Sequence, residues 1–121
     1  MAFEALSLVQ EYYPRIDAGD VLWVVDLFDE QAVYDRASEI HRGRAAIQLF
    51  YSSHRKIKVT HSDLNFWQSG NDVFVEGHFD GVGDDGSARG GDFSDHWTFN
   101  KAGKVILRRT SLFTGSAAIR E

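Results

Sequence analysis

Asp95 sits in the most informative stretch of the chain, Phe93-Ser94-Asp95-His96-Trp97-Thr98-Phe99. In an extended segment alternate side chains share a face, so Asp95 projects on the same side as Phe93, Trp97 and Phe99. A carboxyl partly withdrawn from water among three large rings is driven toward its neutral form, which can transfer a proton or donate a hydrogen bond. A purely structural aspartate, paired with an arginine or with backbone N–H groups, fits the same pattern. Arg108 and Arg109 are adjacent, so one of them points the way Asp95 points. An extra bulged residue at Gly103 selects Arg108, and its absence selects Arg109.

The five histidines, His41, His54, His61, His78 and His96, form neither an i, i+4 helical pair nor a paired metal motif, so no metal is expected. His61 and His78 fall on neighbouring predicted strands, where either can serve as acid, base or donor. Strict alternation puts Val73, Val75 and Phe79 on one face and Phe74, Glu76, His78 and Asp80 on the other. That turns His78 and Asp80 toward solvent, unless a bulge at Gly77 or Gly81 re-aims them. Tyr12 lies one helical turn from Leu8 and Ile16, which buries its ring and leaves its hydroxyl in need of a partner. The five glycines between Gly81 and Gly91 belong to a hairpin and its flanks, not to a strand-to-helix phosphate cradle. A serine nucleophile elbow is also missing.

Positioning these groups requires helices first and a sheet last. Phe3, Leu6, Val9, Tyr13 and Ile16 recur at three-to-four spacing, predicting a helix over 3–13 that Pro14 ends or kinks. Asp17-Ala18-Gly19-Asp20 is a turn whose aspartates can cap a second helix over 21–28, although this apolar run has no periodicity that separates it from a buried strand. Residues 32–36 read as a short strand. Arg42-Gly43-Arg44 introduces a third helix whose stripe is Ala46, Ile47, Phe50 and Tyr51. Alternation then predicts strands over 57–67, 73–82, 89–100 and 104–113, joined as successive antiparallel hairpins. The order argues an α+β fold with the helices on one face of an antiparallel sheet. Residues 114–121 read as a loose tail.

With 121 residues, 43% of them hydrophobic, one domain fits and a second does not. A chain of this length buries roughly 65 to 70% of its unfolded surface, enough for a core without staples. The absence of cysteine excludes disulfides, thiolate zinc sites and a cysteine nucleophile, and fits a reducing compartment. A net charge of -5 argues against a nucleic-acid partner. The longest apolar run, Val21 to Val25, is too short for a membrane span, and Glu4 stands where a signal peptide is basic, so a cytoplasmic protein is expected.

Three blocks together resemble the nuclear transport factor 2-like superfamily and, within it, the SnoaL-like and ketosteroid-isomerase-like proteins. They are Tyr12-Tyr13-Pro14-Arg15-Ile16-Asp17-Ala18-Gly19-Asp20 leading to Leu27-Phe28; His41-Arg42-Gly43-Arg44-Ala45-Ala46-Ile47 leading to Phe50-Tyr51; and Asp95 to Phe99 followed by Gly103-Lys104-Val105. The likeness covers residues 3–113 of a single domain. It implies three N-terminal helices packed in the concave face of a curved, mostly antiparallel sheet, a cone enclosing a mostly apolar pocket, and a homodimer.

The resemblance also implies roles. Tyr12 falls where ketosteroid isomerases hydrogen-bond the substrate oxygen, and Asp95 falls on the neutral acid of the same oxyanion hole. The general-base aspartate of those enzymes lands on Arg36, so a true ketosteroid isomerase is not expected. Asp17 and His61 match an aspartate and a catalytic histidine of scytalone dehydratase. Asp95 with Arg36 or Arg108 and Asp80 imitates the Asp-Arg-Asp group of limonene-epoxide hydrolases. The expectation is a cofactor-free isomerase, lyase or hydrolase acting on an apolar molecule with a carbonyl, enol or epoxide oxygen. Asp95, Tyr12, His61 and His78 carry the chemistry, and Arg36, Arg108, Asp17 and Asp80 tune it. Tyr34, Phe50, Trp97 and Phe99 are the expected binding surface. The alternative is a noncatalytic ligand-binding or dimerisation domain whose Asp95 and arginine form a buried structural pair.

Overall fold

Pro14 does not end the first helix. In the computed structural model, which describes residues 4–36, 39–53, 58–82 and 86–113, α1 spans Ala5–Asp17 with Pro14 inside it. The proline lies in the last turn. There the helix closes with a Schellman arrangement, Gly19 N–H donating to Ile16 O and Asp20 N–H to Arg15 O, with Gly19 at φ 82°. Burial of Val9, Tyr12 and Tyr13 holds the helix against the sheet and offsets the cost of the proline. Phe3, His54, the Gly83-Asp84-Asp85 turn and the expected tail lie outside the described residues.

The second helix is shorter than its apolar run. α2 covers Val21–Asp26, capped by the Asp20 carboxylate, which accepts from Trp23 N–H at 3.3 Å. Phe28, expected to be helical, instead opens β1, Phe28–Asp35, which is longer than the expected 32–36. Two elements complete the first half: the three-residue β2, Ile40–Arg42, which alternation did not reveal, and α3, Arg44–Ser53. The second half follows the expected plan, with β3 Lys58–Ser69, β4 Asp72–Val82, β5 Ala88–Phe99 and β6 Val105–Leu112.

The six strands form one sheet in the order β2-β1-β6-β5-β4-β3. Every pairing is antiparallel except β1 with β6, which is parallel and aligns Tyr34 with Arg108. The sheet is curved and open, and the helices pack against its concave face, as expected. A bulge in β3 between Ser62 and Asn65, with Asp63 at φ 54°, shifts that strand's register, whereas β4 and β5 stay in step through Gly77. Gly77 is needed for close approach, because a Cβ there falls 2.6 Å from Leu64 Cδ2 and 2.9 Å from Phe93 Cε1. Trp97, Phe28 and Val9 lie at the centre of the core, each 0% exposed. Among the described residues, no helix is long and apolar enough to cross a membrane.

Candidate functional site

The pleat of β5 and β6 sends Asp95, Trp97, Arg108 and Thr110 to the same concave face, where all four are buried. Arg108 is thus the inward arginine, with a register shift between Thr98 and Phe99 at the hairpin, and Arg109 lies outside near Asp35. Arg108 Nη2 donates to Asp95 Oδ2 at 2.9 Å, and Tyr13 OH donates to the same oxygen. Thr110 Oγ1 donates to Asp95 Oδ1 and lies 3.3 Å from Tyr34 OH. Every one of these contacts of Asp95 is a donor. The network therefore uses Asp95 as an acceptor rather than as the expected donor, because an arginine that the aromatic pattern alone does not show faces it.

The tyrosine that reaches Asp95 is Tyr13, not Tyr12. Trp97 Nε1, which can only donate, lies 3.3 Å from Tyr13 OH, so the one proton of Tyr13 is directed to Asp95. Tyr12 joins the network through Arg108, whose Nη1 donates to Tyr12 OH at 2.6 Å and to Tyr51 OH at 2.8 Å. The two phenol oxygens are 2.9 Å apart. Burial pushes the Tyr12, Tyr13 and Tyr51 hydroxyls above the ordinary phenol range, so all three keep their protons at neutral pH. Burial also opposes the charge on Arg108, but Asp95 and the surrounding phenols outweigh it and hold the guanidinium protonated. The guanidinium carbon lies 4.5 to 4.6 Å from the Trp97, Tyr12 and Tyr34 ring centres, a cation–π enclosure on three sides.

A second constellation joins α1 to β3. Asp17, the last residue of α1, accepts from His61 N–H at 2.9 Å and lies 2.6 Å from His61 Nδ1. A carboxylate is unfavourable at a helix C-terminus, and the histidine offsets it. With Nδ1–H donating to Asp17, the Nε2 of a neutral imidazole carries the lone pair, the arrangement of an oriented general base. The His61 ring packs 5.2 Å from Tyr13 and 5.4 Å from Phe93, so Tyr13 touches both constellations.

The remaining expected residues divide between the faces. His78 and Asp80 are on the outer face, as simple alternation has it, and are separated from Asp95 by the sheet. His78 lies 3.1 Å from Asp92 Oδ1 and 3.3 Å from Asp80 Oδ1, and its bond to Asp92 raises it above the ordinary histidine range. The sheet thus removes His78 from the interior chemistry and Asp80 from any Asp-Arg-Asp group with Arg108. Arg36 does not touch Asp95. Its guanidinium lies over Phe50 at 4.8 Å and Tyr34 at 5.8 Å, at the rim where β1 ends. Phe99 is buried at the far end of β5, beside Val105. Tyr13, Tyr51 and Thr110 were not expected in the site. Thr110 is two residues from Arg108 on one strand face, and Tyr51 is on the α3 stripe, but both spacings mark core positions equally well.

The chain matches over residues 9–108 the family model described as a SnoaL-like domain. No curated protein matches it. Among solved structures it is similar to a candidate polyketide cyclase from Xanthomonas campestris pv. campestris, with 20% identity over 88% of each chain and a TM-score of 0.81. It is also similar to the epoxide hydrolase/cyclase-like enzyme SalBIII of pyran ring formation in salinomycin, with 22% identity over 89% of each chain and a TM-score of 0.75. An LEH-like epoxide hydrolase of M. tuberculosis shares 13% identity over 92% of this chain and 84% of its own, with a TM-score of 0.80. At these identities the likeness is one of fold.

Proposed function

The chain belongs to the SnoaL-like family, and from that premise we propose that it binds an apolar small molecule bearing a carbonyl, enol or epoxide oxygen and catalyses proton transfer on it. The observation that carries this reading is the Asp17–His61 pair, 2.6 Å apart, beside the aromatic concave face. Asp17 fixes the imidazole, His61 Nε2 takes a proton from the ligand, and the same nitrogen returns it at another position. That one exchange underlies isomerisation, dehydration and cyclisation, and a water activated by His61 gives hydrolysis. Tyr12 and Tyr51 supply the oxygen-binding group. Both accept from Arg108, one donates to the other, and the second hydroxyl proton has no acceptor among the described residues. Asp95 holds Arg108 in place. No cofactor takes part in this reading, and the family's cyclase- and hydrolase-named fold neighbours support it.

The experiment is deuterium exchange at the carbon acid of 2-tetralone, an apolar cyclic ketone, followed by NMR in D2O. The wild-type chain is expected to accelerate exchange, and His61→Asn to lower the acceleration by about 10²- to 10⁴-fold. No acceleration by the wild type overturns the reading.

A second reading is favoured by the saturated hydrogen bonding of Asp95: a noncatalytic binding domain in which the Asp95–Arg108 pair is structural. Under either reading a second copy of the chain is the proposed partner of the outer sheet face, where Trp67 and Phe74 are 53% and 40% exposed. Glu76 on β4 and Arg109 on β6 flank β5 there, so the face carries one charge of each sign beside its exposed rings.

A further inference from the structure

Arg36 occupies the position where the resemblance places a carboxylate base, and its surroundings give that reversal of charge a use. β1 sends Tyr34 inward and Asp35 outward, so Arg36 follows at the rim of the concave face. Its guanidinium carbon lies 4.8 Å from the Phe50 ring centre and 5.8 Å from that of Tyr34. Its backbone N–H donates to Glu39 O at 2.8 Å, which ties the rim between β1 and β2. No carboxylate pairs with its side chain among the described residues. The nearby Glu39 carboxylate is turned to His41, with Oε1 3.3 Å from Nε2, out of line for a hydrogen bond. His41 packs on the same Phe50 ring at 4.6 Å, and its Nε2 is buried without a hydrogen-bond partner.

Among the described residues the interior adds no competing anion at this point. Asp95 is neutralised by Arg108, and Tyr34 and Thr110 stand between Asp95 and the rim. An arginine laid flat on two aromatic rings keeps its donor edge free, and that edge matches the two oxygens of a carboxylate. We infer that Arg36, on its Phe50 and Tyr34 platform and beside His41, binds a carboxylate carried by the ligand. The substrate class narrows to apolar acids whose body enters the cone and whose acid group stays at the rim. This rests on the proposed ligand-binding role, and its test separates the two.

The probes are 4-phenylbutanoate and 4-phenylbutanamide, which share an apolar body and differ in charge, titrated into the purified chain by calorimetry at neutral pH and low salt. The acid is expected to bind about tenfold more tightly than the amide, with the preference shrinking as salt rises. Arg36→Gln should equalise the two probes, Arg36→Lys should keep part of the preference, and Lys101→Gln in the exposed turn between β5 and β6 should change nothing. Equal binding of acid and amide to the wild type, or a preference that survives in Arg36→Gln, overturns the carboxylate site and leaves the ligand-binding role standing. Binding of neither probe at millimolar concentration overturns both.

Discussion

Three donors converge on Asp95, and its side chain is 0% exposed while that of Arg108 is 5% exposed. A buried pair of this kind contributes little by existing, because desolvation cancels most of the attraction, but removing one partner leaves the other charge stranded. Asp95→Asn is therefore expected to lower the unfolding free energy by about 3 to 5 kcal/mol, measured by urea denaturation. A loss below about 1 kcal/mol contradicts the structural account of the pair. The position of Asp95 was legible because an acid that alternates with three aromatics along a strand must share the face they bury. Its role as an acceptor was not legible, since that depends on which of two adjacent arginines faces inward, and on a threonine and a second tyrosine whose hydroxyls sequence spacing cannot aim.

Between elements, Gly77 on β4 marks a close approach to the bulged β3 beside it. Gly77 lets Leu64 and Phe93 close over it, and the Phe93 ring is held by His61, Tyr13 and Phe79. Gly77→Ala should cost about 1 to 3 kcal/mol by overpacking, seen as a lower urea midpoint. Leu64→Ala in the same chain should recover part of that loss, a coupling that additive effects do not produce. The hairpins of β3 to β6 were legible from alternation and turn residues. The elements misjudged are those governed by contacts far along the chain. α1 passes Pro14 because both of its tyrosines are anchored, Phe28 leaves the helical run because it pairs beside Val105, and β2 is too short to show a period.

For the whole molecule, the fold class followed from the order of helices and strands, whereas the proposed assembly rests on the outer face. The exposed Trp67 and Phe74, with Glu76 and Arg109 alongside, predict two chains per particle by light scattering. Trp67→Glu should shift that particle to one chain by burying a charge against an apolar surface. A monomeric wild type at high concentration removes the paired arrangement.

The parallel join of β1 to β6 has a consequence for how the protein is made. β1 leaves the ribosome early, yet its parallel partner follows every other described strand, so Tyr34 and Arg108 meet only after β6 has emerged. Until then the apolar side of β1 has no neighbour on that flank, and the ring of aromatics around the arginine cannot close. Such long-range pairing slows folding relative to local hairpins. A ribosome stalled before β6 should therefore hold a nascent chain that proteases cut readily, and emergence of β6 should bring resistance in one step.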